Sequence, residues 1–169
     1  KPTVHSEVMA WSNITGVRME GELIDFESSL RVGKPGGEIE ISGRERQKKI
    51  RFRREGNKQI TITPMNGATI TQTVTDLDTC TVACEWQVEG QEKVKGSVYF
   101  CLTLSPRYYA DAKIKNLGKV IEIQAPDRQI ELTFEKNMST HIREEEGGKT
   151  LYITLLSNVQ PGAKSQLKA

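Results

Sequence analysis

The most reactive side chains in this 169-residue chain are two histidines, His5 and His141, and three cysteines, Cys80, Cys84 and Cys101. None stands in a pattern that would activate it. Nucleophilic catalysis needs a serine or cysteine within reach of a base, and the sequence holds no GxSxG elbow, HExxH pair or cysteine–histidine signature. The cysteine count is odd, with no CxxC or Cys/His cluster, which fits neither a disulfide framework nor a zinc site. Cys80 and Cys84, four residues apart in an extended segment, stand roughly 13 Å apart at strand rise, too far to bridge. Free thiols are expected.

Carboxylates are plentiful but not patterned. Glu144, Glu145 and Glu146 precede Gly147-Gly148 and read as a solvated acidic turn. Asp25 and Glu27 fall on the polar phase of a strand. Asp76 and Asp78 flank an expected turn, where short acidic side chains bond local backbone, and their spacing is not that of a calcium loop. The glycines from Gly33 to Gly37 lack the GxxxxGK[ST] pattern and no helical stretch follows them, so a phosphate cradle is not indicated. The chain is expected to carry no metal, no cofactor and no catalytic residue of its own.

Charge is more informative. Between Arg44 and Lys58 lie Arg44, Arg46, Lys48, Lys49, Arg51, Arg53, Arg54 and Lys58 against Glu45 and Glu55, in a chain whose net charge is +2. Arg51 and Arg53 alternate with Ile50 and Phe52 and so share the outer face of one strand, with Lys49 in line. That face is either a charged strand that discourages edge-to-edge pairing, or an anion-binding surface for a protein or acidic polymer. Nucleic acid is disfavoured, because Phe52 is the one aromatic in the segment and its alternation turns it inward.

Aromatic rings matter for sugars, which stack on them. Trp86 sits on an alternating apolar face and reads as core. Trp11, Tyr108 and Tyr109 are the candidates for glycan contact. The Tyr108-Tyr109 pair, beside Pro106, either lines a loop-built binding surface or caps the core with its hydroxyls in water. Two glycosylation sequons, at Asn13 and Asn137, carry little weight alone.

The elements that would position these residues are strands. Apolar and polar residues alternate through Ile24, Phe26, Leu30 and Val32, then Ile39 and Ile41, Ile50 and Phe52, Ile60 and Ile62, and Ile70 and Val74. The pattern continues through Val82, Cys84, Trp86 and Val88; Val98, Phe100, Leu102 and Leu104; Ile121 and Ile123; Ile130, Leu132 and Phe134; and Leu151, Ile153 and Leu155. Asn66-Gly67 predicts a two-residue hairpin turn of type I′, with positive φ at both positions. Glu89-Gly90, Pro126-Asp127 and Gly147-Gly148 mark further turns. The stretch from Ser105 to Leu117 is the least regular and has room for a helical turn.

About ten or more strands with little or no helix must bury their faces against another sheet, which predicts an antiparallel two-sheet β-sandwich. Pairing Val82–Val88 with Val98–Leu104 as a hairpin would put Cys84 and Trp86 inward and Cys101 on the opposite face. Residues 1–157 are expected to form one domain and 158–169 a polar tail or linker. The hydrophobic fraction of 36% describes a water-soluble globule, and no run reaches the ~18 apolar residues of a membrane span. Because the sequence opens at Lys1, a processed product or an excised domain is expected.

The stretch Trp11-Ser12-Asn13-Ile14-Thr15-Gly16-Val17-Arg18-Met19-Glu20-Gly21-Glu22-Leu23 carries a resemblance, together with Phe26-Glu27-Ser28-Ser29-Leu30-Arg31-Val32 and Arg53-Arg54-Glu55-Gly56. These phrases resemble the N-terminal β-sandwich regions of large secreted bacterial glycoside hydrolases. The resemblance implies a non-catalytic accessory module that packs against a neighbouring catalytic domain or weakly contacts polysaccharide. It also implies a secreted or cell-envelope protein. It transfers no catalytic residue. The alternative is an independent binding or adhesion module that uses the basic face of 44–58.

Overall fold

The computed structural model describes residues 3–7, 13–17, 26–42, 50–78 and 81–168, the first two segments by strand pairing alone. Among these residues the fold is all-β and antiparallel, with strands numbered in chain order. One large sheet runs β1 (Thr3–Glu7), β2 (Asn13–Val17), β3 (Phe26–Gly33), β9 (Ser97–Leu104), β14 (Gly148–Leu156) and β13 (Thr140–Glu145), with β4 (Ile39–Ile41) paired to β3. A five-stranded sheet runs β15 (Lys164–Lys168), β8 (Thr81–Gly90), β7 (Ala68–Asp78), β6 (Lys58–Met65) and β5 (Arg51–Glu55). A third, of three strands, holds β10 (Lys113–Asn116), β11 (Val120–Gln124) and β12 (Gln129–Thr133). One helical turn, α1 (Pro106–Tyr109), falls inside the irregular stretch.

The sheets share one core. Leu30, Val98, Phe100, Leu102, Leu104, Leu151 and Ile153 from the large sheet meet Ile70, Val74, Cys84, Trp86 and Val88 from the five-stranded sheet. Ile121 and Ile123 join from the third. Trp86 is the hub. Its ring lies 4.6 Å from that of Phe100 and 6.2 Å from that of Phe134, and its indole N–H donates to Gln72 Oε1 at 2.9 Å. That bond lets a polar side chain sit in the core.

Four sequence expectations need correction. First, β8 and β9 are not a hairpin. β8 pairs with β7 and β15 while β9 pairs with β3 and β14, and the connection between them crosses from one sheet to the other. Cys84 and Cys101 still face opposite ways: Cys84 points into the main core and Cys101 packs with Tyr99 and Tyr152 behind the large sheet. Both are free and buried, and Cys80 lies outside the described residues.

Second, Ile60 and Ile62 do not face the core. On β6 the buried positions are Gln59, Thr61, Thr63 and Met65, because pairing with β7 sets Thr63 opposite Ile70, Thr61 opposite Gln72 and Gln59 opposite Val74. Directly paired residues share a face, so the inward Ile70 and Val74 fix β6 in this phase and turn its isoleucines out.

Third, the Asn66-Gly67 turn is not type I′. Only Gly67 has positive φ (83°), the type II pattern.

Fourth, the polar end is not a tail over its whole length. Lys164–Lys168 is an edge strand on β8, with Leu167 buried and Ser165 Oγ donating to Leu155 O at 2.7 Å. Val159, in the connection to it, is also buried. Edge strands are commonly rich in charge, which disguises this one as linker.

Burial fixes the chemistry of the two described thiols. It raises the Cys84 thiol to about 12 and also pushes Cys101 well up, so both stay protonated and out of reach at neutral pH. Alkylation followed by peptide mapping is expected to label Cys84 and Cys101 only in denaturant. Labelling of either in the native protein at neutral pH would contradict this packing.

Candidate functional site

The residues singled out for glycan contact are not brought together. Trp11 lies outside the described residues. Tyr109 is buried in the core at 1% exposure, so its ring offers no stacking surface. Tyr108 is half-buried, with the Arg128 guanidinium 3.8 Å over its ring and that of Arg107 at 5.7 Å. Of the basic-face residues, Lys49 lies outside the described residues, while Arg51 and Arg53 occupy the exposed outermost strand β5. Their register opposite Ile62 and Ile60 places both arginines on the outer face of the five-stranded sheet.

That face is ordered in rows. Arg53, Ile60, Thr73, Glu85 and Lys168 follow one another across the five strands, and Arg51, Ile62, Thr71, Gln87 and Gln166 form the next row. At the Arg51 end the surface dips into an open groove of about 580 Å³ lined by Ile50, Arg51, Ile62, Pro64, Thr69 and Gln91. The groove exists because β6 presents its isoleucines outward and because Gln91 is held beside the β6–β7 turn, its N–H donating to Gly67 O at 2.8 Å. Its floor is aliphatic. Its rim offers a guanidinium, a hydroxyl and a carboxamide, a lining suited to a ligand with apolar and hydroxylated surfaces.

A second cluster, behind the large sheet, joins residues that the sequence does not single out together. Arg31, only 2% exposed, donates from Nη1 to Glu145 Oε1 (2.9 Å) and Oε2 (3.2 Å) and to Tyr152 Oη (2.7 Å), and from Nε to Ser29 Oγ (3.1 Å). Tyr152 Oη in turn donates to Glu145 Oε2 at 2.5 Å. His141 stacks on Tyr152 with ring centroids 4.7 Å apart, and Tyr99 meets both rings edge-on. β3, β9, β13 and β14 each contribute alternate residues to this face, as their register requires.

The electrostatics of this cluster hold each group in one state. Burial works against the Glu145 carboxylate, but the bonds from Tyr152 and Arg31 outweigh it and hold its pKa below the ordinary value. Burial and the bond to Glu145 keep the Tyr152 hydroxyl protonated far above its usual range. Burial works against the Arg31 charge, and the hydrogen bond and opposite charge of Glu145 offset it, so Arg31 stays a guanidinium. His141 is lowered by burial and by Arg143, against the opposing pull of Glu145. These groups are committed to one another, which is the chemistry of a structural lock. Only Glu144 and Glu146 of the acidic triplet are solvated.

The expected acidic turn therefore hides a half-buried partner of the buried Arg31. The signal that could have revealed it is the unbroken run Val98-Tyr99-Phe100-Cys101-Leu102, with Leu151-Tyr152-Ile153. Apolar residues in both phases mark strands buried on both faces. Among the described residues, no group of three or more His, Cys, Asp or Glu side chains is placed to hold a metal ion, and no helix is long and apolar enough to cross a membrane. No protein-family model, no curated protein and no solved structure matches this chain.

Proposed function

We propose that this chain is a non-catalytic β-sandwich module of a carbohydrate-processing enzyme, and that it makes weak contact with neutral glycan through the groove on its five-stranded sheet. The groove lining carries the reading. Ile50, Ile62 and Pro64 offer a floor for the C–H faces of a pyranose, and Arg51, Thr69 and Gln91 offer partners for its hydroxyls. The resemblance of residues 11–23, 26–32 and 53–56 to accessory sandwiches of secreted glycoside hydrolases supports the same reading, and on it the protein is exported. With no aromatic platform in the lining, a dissociation constant on the order of 1 mM, or about −4 kcal/mol, is expected.

Affinity electrophoresis against neutral polysaccharides tests this, with wild type beside Ile62→Thr. The threonine keeps the branched strand geometry and removes aliphatic floor worth about 1 kcal/mol, so retardation is expected to fall several-fold. Equal retardation of the two proteins, or none of wild type, contradicts the proposal.

A further inference from the structure

A different surface, the free edge of the five-stranded sheet, carries an inference that does not rest on the groove. β5 is the outermost strand of its sheet among the described residues, and all five of its residues are exposed. It is joined to β6 by the two-residue turn Gly56-Asn57, with φ +60° at Gly56 alone, the type II′ pattern that matches strand twist. A two-residue hairpin closes on a hydrogen-bonded pair, in this turn Glu55 opposite Lys58. Alternation then puts Arg53 and Arg51 in the same class, with their main-chain groups turned toward β6. Phe52 and Arg54 are left with N–H and C=O directed away from the sheet. An exposed row of that kind is a template for another strand.

The side chains say which strand. β5 carries Arg51, Arg53 and Arg54 against the single acid Glu55, and an ion pair within it, Arg53 Nε to Glu55 Oε1 at 3.3 Å, is exposed on both sides. Pairing with β5 of a second copy is opposed by register. Three two-fold registers use the outward groups of Phe52 and Arg54. Each sets arginine directly opposite arginine (Arg53 on Arg53, Arg54 on Arg54, or Arg51 on Arg53), although the first also sets Glu55 opposite Arg51 and the second sets Glu55 opposite Arg53. Like charges so placed destabilise a ladder. A strand whose acidic residues stand opposite Arg51 and Arg53 and that ends before Glu55 meets no like charge.

We propose that β5 is a docking edge that adds an extended, acidic protein segment as a sixth strand of this sheet. The segment carries acidic residues two apart, opposite Arg51 and Arg53 on the outer face. The residues between them, apolar or β-branched, lie opposite Phe52 and Arg54 and exchange main-chain hydrogen bonds with them. Charge gives the choice of partner and the main chain gives the grip.

The probe is a capped eight-residue peptide alternating Glu and Val, titrated onto the intact chain by fluorescence anisotropy. With Glu facing the arginines, the Val amides point at β5 and the Glu amides at solvent. N-methylation of the Val residues is expected to weaken binding about tenfold or more, a loss of ~1.4 kcal/mol, while N-methylation of the Glu residues leaves it within about threefold. Arg54→Pro is expected to weaken binding more than Arg54→Ala, because proline removes an outward donor without costing a bond to β6. The methylated pair decides the matter whether or not Arg54→Pro folds.

Equal loss with both methylated peptides, or equal competition by unstructured acidic polymers, would reduce β5 to a charged surface and overturn the proposal. So would absence of binding, or a dimer joined through β5. Ile62→Thr leaves β5 and its charge in place, so failure of the groove and failure of the edge are separable.

Discussion

Trp86→Ala is expected to destabilise the protein by about 3–5 kcal/mol, because it empties the site of the largest fully buried side chain among the described residues. Trp86 is 1% exposed and touches both faces of the sandwich: it belongs to the five-stranded sheet and packs on Phe100 of the large sheet and on Phe134 beyond β12. Truncation opens a cavity where the sheets meet and removes the donor that satisfies Gln72 Oε1. Against a typical stability of about 5–15 kcal/mol, that loss leaves a marginal fold. Trp86→Phe keeps most of the volume but not the N–H, so a smaller loss of about 1–2 kcal/mol is expected. Urea denaturation followed by circular dichroism measures both. A loss below about 1 kcal/mol for Trp86→Ala would mean that the ring does not bridge the sheets.

The second large effect belongs to the lock behind the large sheet. Arg31→Met keeps the aliphatic stem and removes the charge, leaving the Glu145 carboxylate with Tyr152 and without its cation. Breaking a buried pair costs about 3–5 kcal/mol; Glu145 retains 25% side-chain exposure, which lets water relieve part of this, so about 2–3 kcal/mol is expected.

The lock also sets a pH dependence. A carboxylate whose folded pKa is depressed contributes stability that is fully present above its unfolded value near 4.5 and is lost as pH falls through the lower folded value. His141, also depressed, acts in the same direction from a higher start: its contribution is present above about 6.5 and declines as the ring is forced to charge. Wild type should therefore lose stability from pH 6.5 downward, more steeply below 4.5. Glu145→Gln should flatten the lower limb and somewhat steepen the upper one, because it removes the carboxylate whose charge opposes the lowering of His141. Parallel curves for wild type and Glu145→Gln below pH 4.5 would show that Glu145 is not held by Arg31.

Much of the architecture is legible in the sequence because burial on one face writes a period of two into the chain. Alternation places Val98 to Leu104, Leu151 to Leu155 and Ile121 with Ile123 correctly. The failures lie in what alternation leaves open: it states which residues share a face, not which face is inside or which strand is the neighbour. On β6, Ile60 and Ile62 look like core, but long-range pairing with β7 chooses Thr61 and Thr63. The β8–β9 segment reads as a hairpin because its strands are sequential, yet the chain changes sheets between them.

The candidate sites are less legible for the same reason. Arg31 and Glu145 are 114 residues apart, and nothing local in either marks a partner. The groove assembles Ile62 and Thr69 from two strands, β6 and β7, with Ile50 from just before β5 and Gln91 from just after β8. Arg51 and Arg53, by contrast, are placed on one outer face by their own spacing, a purely local property of a strand.

The central claim is that the amphipathic groove between Ile50 and Gln91 is a glycan-contact surface. Its most direct test is a titration of the isotopically labelled chain with neutral oligosaccharides, followed by amide chemical shifts. The account predicts saturable shifts concentrated at Arg51, Ile62, Thr69 and Gln91, with little change around Arg31, Glu145 and Tyr152. Shifts centred on another face, or none at oligosaccharide concentrations of about 10 mM, well above the ~1 mM expected for this groove, would contradict it.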